Sequence, residues 1–238
     1  MCHSSGYENG YRSRKLNYGR LNVVDLDRGR VGRKLKALVV CLGCFLCCTT
    51  IPVSAETLSP PLVQFNGYTT TEKIGGDFEL LGFDAAGEHV VSLRQFRGKY
   101  LLLLFGFTHC PISCPMILSR AAQIVDSMEH KNDLGVIFVT LDPARDRPNN
   151  LELFLKAFNA DFIGLSGSEE QIRKVADAYR VSYSKQVMGA SYTIDHSTYM
   201  YLLDKAGSVV FLYPENESAL NIAQDVKNLM RMESPAMH

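Results

Sequence analysis

Beyond residue 55 the chain is short of cysteine, of positive charge and of internal repetition, and each shortage narrows what it can be. Of seven cysteines only Cys110 and Cys114 lie there, so any thiol chemistry rests on a single pair. Nine of the 25 basic and three of the 25 acidic residues fall within residues 1–55, which leaves an acidic excess of six in the remainder. That argues against nucleic acid as a partner. With no repeat visible, one domain is the default, and 46% hydrophobic residues over 238 positions can fill its core.

The basic head, residues 1–36, is polar and rich in Tyr, Arg, Asn and Gly; it is expected to be disordered, or else to precede a true translation start near Val31. It runs into the uncharged stretch ALVVCLGCFLCCTTIPV, residues 37–53. A transmembrane helix wants about 17–25 apolar residues and a signal-peptide core about 7–15, so the stretch fits either. Val53-Ser54-Ala55 resembles a cleavage site, so residues 37–55 read as a signal peptide or a single membrane anchor. In both cases the basic flank stays behind and the rest is exported. Acidic residues in the head argue against a mitochondrial transit peptide. Cys41, Cys44, Cys47 and Cys48 lie inside the apolar stretch, where thiols serve as small hydrophobes rather than metal ligands, and Cys2 lies in the loose head.

Residues 56–76, with Pro60-Pro61 and Gly75-Gly76, read as a linker, residues 77–232 as the folded domain and 233–238 as a tail. FELLGF, DAAGE and HVVSL predict strand, turn and strand. YLLLLFGF from Tyr100 is continuously apolar, as in a strand buried on both faces. A helix with Ile117, Ala121, Ile124, Val125 and Met128 at helical spacing follows, then a second buried strand, LGVIFVTL. Strand, helix, strand implies a parallel crossover. Pro148-Asn149 precedes another helix, DFIGL is a short strand, and Ser168 with Gln171 makes a capping box. STYMYLLD and SVVFLY around the turn DKAG form a hairpin, and a helix from Asn221 to Met232 closes the domain. The predicted architecture is α/β and thioredoxin-like, a central mixed sheet flanked by helices.

The stretch FGFTHCPISCP places Cys110 and Cys114 at the end of the first buried strand, each followed by proline. Proline disfavours helix in the residue before it, so both cysteines are expected in a loop, with Pro115 opening the helix and Cys114 as its N-cap. There the helix dipole favours thiolate. Such a pair can close a structural disulfide, shuttle electrons or hold a metal; the first closes too short a loop to stabilise much. Two thiolates suit Cu(I), and a copper site usually recruits a third ligand. The strand from residue 197 runs antiparallel to the first buried strand in this fold, which brings His196 to the cysteine loop across 82 residues of sequence.

With FGFTHCPISCP, LDPARDRP, GLSGSEEQIRKVADAYRVSYS and YTIDHSTYMYLLDKAG in this order, residues 74–232 resemble the Sco/SenC family of copper proteins. The resemblance implies a metallochaperone with Cu(I) or Cu(II) on Cys110, Cys114 and His196. It would deliver copper to the binuclear copper centre of cytochrome c oxidase, or reduce that centre's cysteines. The implied partners are the copper-bearing oxidase subunit, a membrane-tethered or exported thiol reductase and other copper chaperones. The implied location is the exported, periplasmic side of the cytoplasmic membrane, anchored through residues 37–53 if uncut, or alternatively the mitochondrial inner membrane. One departure stands out: Ile112 and Ser113 occupy the places between the cysteines where the family usually has an acidic residue.

The competing reading is an enzyme, a thiol-disulfide oxidoreductase or thiol peroxidase using the Cys110/Cys114 dithiol without metal; CxxxC spacing, in place of CxxC, favours metal. A copper sensor would share the same site. His109 is expected to face away from the thiols, and His89 and His130 to be surface residues. Asp142, Arg145 and Asp146 either support the site or form a solvated ion pair. Among the soft thioethers, Met188 falls in a loop before the histidine, Met200 in a core strand, and Met230, Met232 and Met237, with His238, near the frayed end.

Overall fold

The computed structural model describes Tyr18–Arg20 and residues 65–233. In chain order the elements are β1 (Tyr18–Arg20), β2 (Tyr68–Thr70), the hairpin β3 (Glu79–Asp84) and β4 (Gly87–Ser92), β5 (Tyr100–Gly106), α1 (Ser113–Asp126) and β6 (Leu134–Thr140). They continue with α2 (Pro148–Lys156), β7 (Ile163–Leu165), α3 (Glu169–Ala178), the hairpin β8 (Tyr183–Met188) and β9 (Ser191–His196), β10 (Tyr199–Leu203), β11 (Val209–Pro214) and α4 (Ala219–Glu233).

The apolar run of β5 is buried at all seven positions because strands cover both its edges and helices its faces. Each of Leu101 to Leu104 is sealed from solvent, at about 1.5–3 kcal/mol of burial apiece. The main sheet runs β1-β2-β11-β10-β5-β6-β7. Its β5, β6 and β7 are parallel, while β10 is antiparallel to both β5 and β11. The sheet is therefore mixed, with the crossover helix α1 following the cysteine loop, as the buried runs predict. The capping box at Ser168 and Gln171 forms in full.

Four expectations are corrected. Residues 65–76 pack into the fold rather than linking to a start near Asp77: Phe65 is 2% exposed, its ring 5.0 Å from that of Phe211. Gly67 permits this approach, since a Cβ there would lie 2.5 Å from the Phe211 Cβ. Buried Asp225 of α4 accepts the N–H groups of Asn66 and Gly67, the Asn66 side-chain amide and the Tyr213 hydroxyl at 2.8–3.0 Å. The linker-like composition of residues 65–76 hid these long-range partners. In the head, Tyr18–Arg20 pairs with β2 as an edge strand. Residues 183–196, expected to carry a loop around Met188, form the β8–β9 ribbon. All of β8 after Tyr183 is exposed, so no apolar alternation announces it. Cys114 is the second residue of α1, with Ile112 at the cap. The first helical N–H groups all lack intrahelical acceptors, so Pro115 is tolerated at the third helical position, two later than expected. The apolar stretch 37–53 and the cysteines within it lie outside the described residues. Among those described, no helix is long and apolar enough to cross a membrane.

Candidate metal centre

β5 delivers the chain to the site, and Gly106 lets it come close: a Cβ there would stand 2.6 Å from the Cys114 Sγ. The turn beyond it is fixed from below by Asp146, which is fully buried in the segment after β6. Its carboxylate accepts the Thr108 N–H and the Thr140 hydroxyl at 2.8 Å each, and the Thr108 hydroxyl as well. The Cys110 N–H then donates to the Phe107 carbonyl at 3.2 Å, closing the turn. These bonds fix the Cys110 backbone before α1 starts.

Cys110 and Cys114 are free thiols, 8% and 1% exposed. The helix cap residue Ile112 offers no side-chain acceptor. The Cys110 sulfur fills that role, accepting the Cys114 N–H at 3.4 Å and standing 3.0 Å from the Ser113 hydroxyl. A bond from the Cys114 thiol, with help from Ser113 and the Cys114 and Ile112 N–H groups and against the cost of burial, lowers Cys110 from the ordinary 9.0 to about 4. The same bond, burial and the Cys110 charge push Cys114 up. The shared bond thus favours the thiolate at Cys110, at the positive end of α1, over one at Cys114. Ser113, between the two cysteines, is one of the groups that lowers Cys110.

His196 ends β9, paired with Tyr183. Its Nδ1 lies 3.1 Å from the Ser197 carbonyl; a carbonyl only accepts, so Nδ1 carries the proton and Nε2 the lone pair a metal would use. The ring stands edge-on to Phe107, centroids 6.1 Å apart. It also lines a cavity of about 740 Å³ together with Met116 and Arg120 of α1 and Glu215. The structure therefore brings the two sulfurs together and sets His196 against Phe107, the residue whose carbonyl holds Cys110. It does not close the three into one cluster: among the described residues no three His, Cys, Asp or Glu side chains are gathered as a ligand set.

The His109 ring is occupied by the Thr108 hydroxyl at 3.0 Å and Asp146 at 3.7 Å. His89 lies exposed near Asp84, and His130 caps a short turn. Met200 is core, whereas Met188 at the ribbon's end is 65% exposed; Met237 and His238 lie outside the described residues. The solvated-loop reading of the LDPARDRP stretch is corrected, since Asp142 and Asp146 are both fully buried. Sequence reasoning missed Tyr192, whose hydroxyl donates to Asp142 at 2.7 Å. Its one signal was its place in the same block as His196.

A family model described as SCO1/SenC matches residues 66–231. A SCO2-like protein of Rickettsia conorii is 38% identical over 182 residues, 74% of this chain and 87% of the relative. The mitochondrial SCO1 homolog of Homo sapiens is 34% identical over 163 residues, 66% of this chain and 53% of the relative. The crystal structure of Arabidopsis thaliana ScoI with copper bound aligns with a TM-score of 0.62 at 35% identity, covering 67% of this chain and 99% of that one.

Proposed function

Because the chain belongs to the SCO1/SenC family, we propose that it carries copper as cargo for the binuclear copper centre of cytochrome c oxidase, held by Cys110, Cys114 and His196. The observation that carries the reading is the placement of the sulfurs at the start of α1, where Cys110 accepts the Cys114 N–H at 3.4 Å beside the Ser113 hydroxyl, an arrangement that favours a thiolate at Cys110. Losing the Cys114 proton as well makes a dithiolate, a soft pair that suits Cu(I), and the Nε2 of His196 makes Cu(II) tolerable. Copper-bound relatives such as the Arabidopsis protein favour the same cargo. Delivery would engage the copper-bearing oxidase subunit, loading would require a membrane-tethered or exported thiol reductase, and other copper chaperones would supply the metal. The site would face the exported side of a membrane, with residues 37–53 as anchor or leader; the mitochondrial inner membrane is the alternative.

The asymmetric thiol pair also favours a second reading, reduction of the target's cysteines. The Cys110 thiolate attacks the target disulfide, and Cys114, deprotonated, then displaces the second target thiol. Two electrons pass to the target and the chain is left as a Cys110–Cys114 disulfide.

The deciding experiment is an anaerobic Cu(I) titration of the reduced full chain in detergent, repeated with Cys110→Ser, Cys114→Ser and His196→Ala. Wild type is expected to bind one copper more tightly than each variant. Equal binding by His196→Ala would end the three-ligand proposal. Turnover of a disulfide or peroxide that persists with copper chelated would instead establish the metal-free enzyme.

A further inference from the structure

The β8–β9 ribbon stands outside the main sheet as a separate two-stranded unit, yet it carries His196 at its end. Ion and cation–π contacts to α3, from Lys185 to Glu169 and from Arg173 to Tyr183, are solvent-exposed and hold it weakly. A part-buried clasp at Tyr192, closed on the buried Asp142, does more. The Tyr192 hydroxyl donates to Asp142, and Arg145 Nη1 donates to the Tyr192 carbonyl at 3.0 Å. The Arg145 guanidinium lies over the Tyr192 ring, 3.8 Å from its centroid, while its Nε bonds Asp142. That guanidinium is also 6.0 Å from the Phe107 ring, the surface on which the His196 imidazole rests. One cation therefore touches both the ribbon and the ring beneath the imidazole. It does so at a cost, because Arg145 Nη2 is buried without a partner among the described residues.

We propose that Arg145 and Tyr192 are positioning residues for His196, setting how readily its imidazole reaches Cys110 and Cys114. The inference rests on the copper reading above and deepens it. A clasp that only added stability would act equally whether or not His196 can bind metal. A clasp that places the imidazole acts only when the imidazole is there.

The test is a double-mutant cycle on the reduced full chain: Cu(I) affinity by competition with a chromophoric chelator for Tyr192→Ala and Arg145→Ala, each with and without His196→Ala. The thermal midpoint of each variant is recorded alongside. Affinity is expected to fall about 10- to 100-fold in the His196 background, the range of groups that orient a ligand, and less than about twofold in the His196→Ala background. Equal losses in both backgrounds, or no loss in the first, would overturn the clasp while leaving the copper site standing. Wild type binding no better than His196→Ala would overturn His196 as a copper ligand and the clasp with it. Tyr192→Phe keeps the ring over Arg145 and removes only the bond to Asp142. It is expected to lose about threefold in affinity with the midpoint unchanged, and it carries the comparison if the alanine variants unfold; no loss with Tyr192→Phe would then count against the clasp.

Discussion

The cysteine loop and the histidine ribbon supply one proposed site by opposite means. The loop is the continuation of the most buried strand of the sheet, tied to Asp146 by two hydrogen bonds from Thr108 and locked into the first turn of α1. The ribbon lies outside the sheet, with five of six β8 residues exposed and Val187 at its tip 82% exposed. A pair of sulfurs needs a fixed spacing to share one metal or one proton. A third ligand that joins and leaves needs the reverse, an element with few ties.

The largest expected effect breaks the rigid half. Cys110→Ser or Cys114→Ser should lower Cu(I) affinity by at least about a hundredfold, as hard oxygen replaces soft sulfur, and this is measured by chelator competition. Next, Asp225→Ala should cost about 3 kcal/mol in urea unfolding, because it strands the buried donors of Asn66, Gly67 and Tyr213. Copper affinity should not change with it, which would separate the stability of the sheet from the chemistry at the cysteine loop.

A smaller effect concerns charge. In the reduced, metal-free protein the lowered Cys110 value means that its thiolate persists as pH falls and is lost only through about pH 4. Iodoacetamide should therefore label Cys110 at pH 6, and mass spectrometry of labelled peptides should find Cys114 unmodified. Cys114→Ala removes the principal donor and should move the labelling midpoint upward, toward the ordinary thiol range; a midpoint that stays near pH 4 would refute the assigned cause. The smallest effect is at the ribbon's tip. Val187→Ser with Met188→Ser should change stability by no more than about 0.5 kcal/mol and leave copper binding as it was. A loss there would show that the exposed side chains at the turn, and not only Tyr192 paired opposite Val187, govern the imidazole.

What could be read from the residues divides along the same line. YLLLLFGF, LGVIFVTL and the Ser168 capping box announce themselves because burial on both faces and local hydrogen bonding are written in adjacent residues. The thiol pair is legible for the same reason, and its place at a strand end follows from the apolar run before it. The Phe65–Thr70 segment and the β8–β9 ribbon were not legible. The first depends on Asp225, more than 150 residues away, and the second is held by Asp142 and Arg145 rather than by its own pattern. His196 could be assigned to the correct end of the sheet from topology, but its resting place on Phe107 depends on aromatic packing that no spacing reveals.

Asp225 also decides where mechanical load enters. A pull arriving from residues before 65 meets Asn66 and Gly67 first, and their grip on α4 takes the strain. In the sheet, β11 and β10 then stand between that grip and β5. Force entering the fold at Asn66 is therefore met two strands away from the spacing of the two sulfurs.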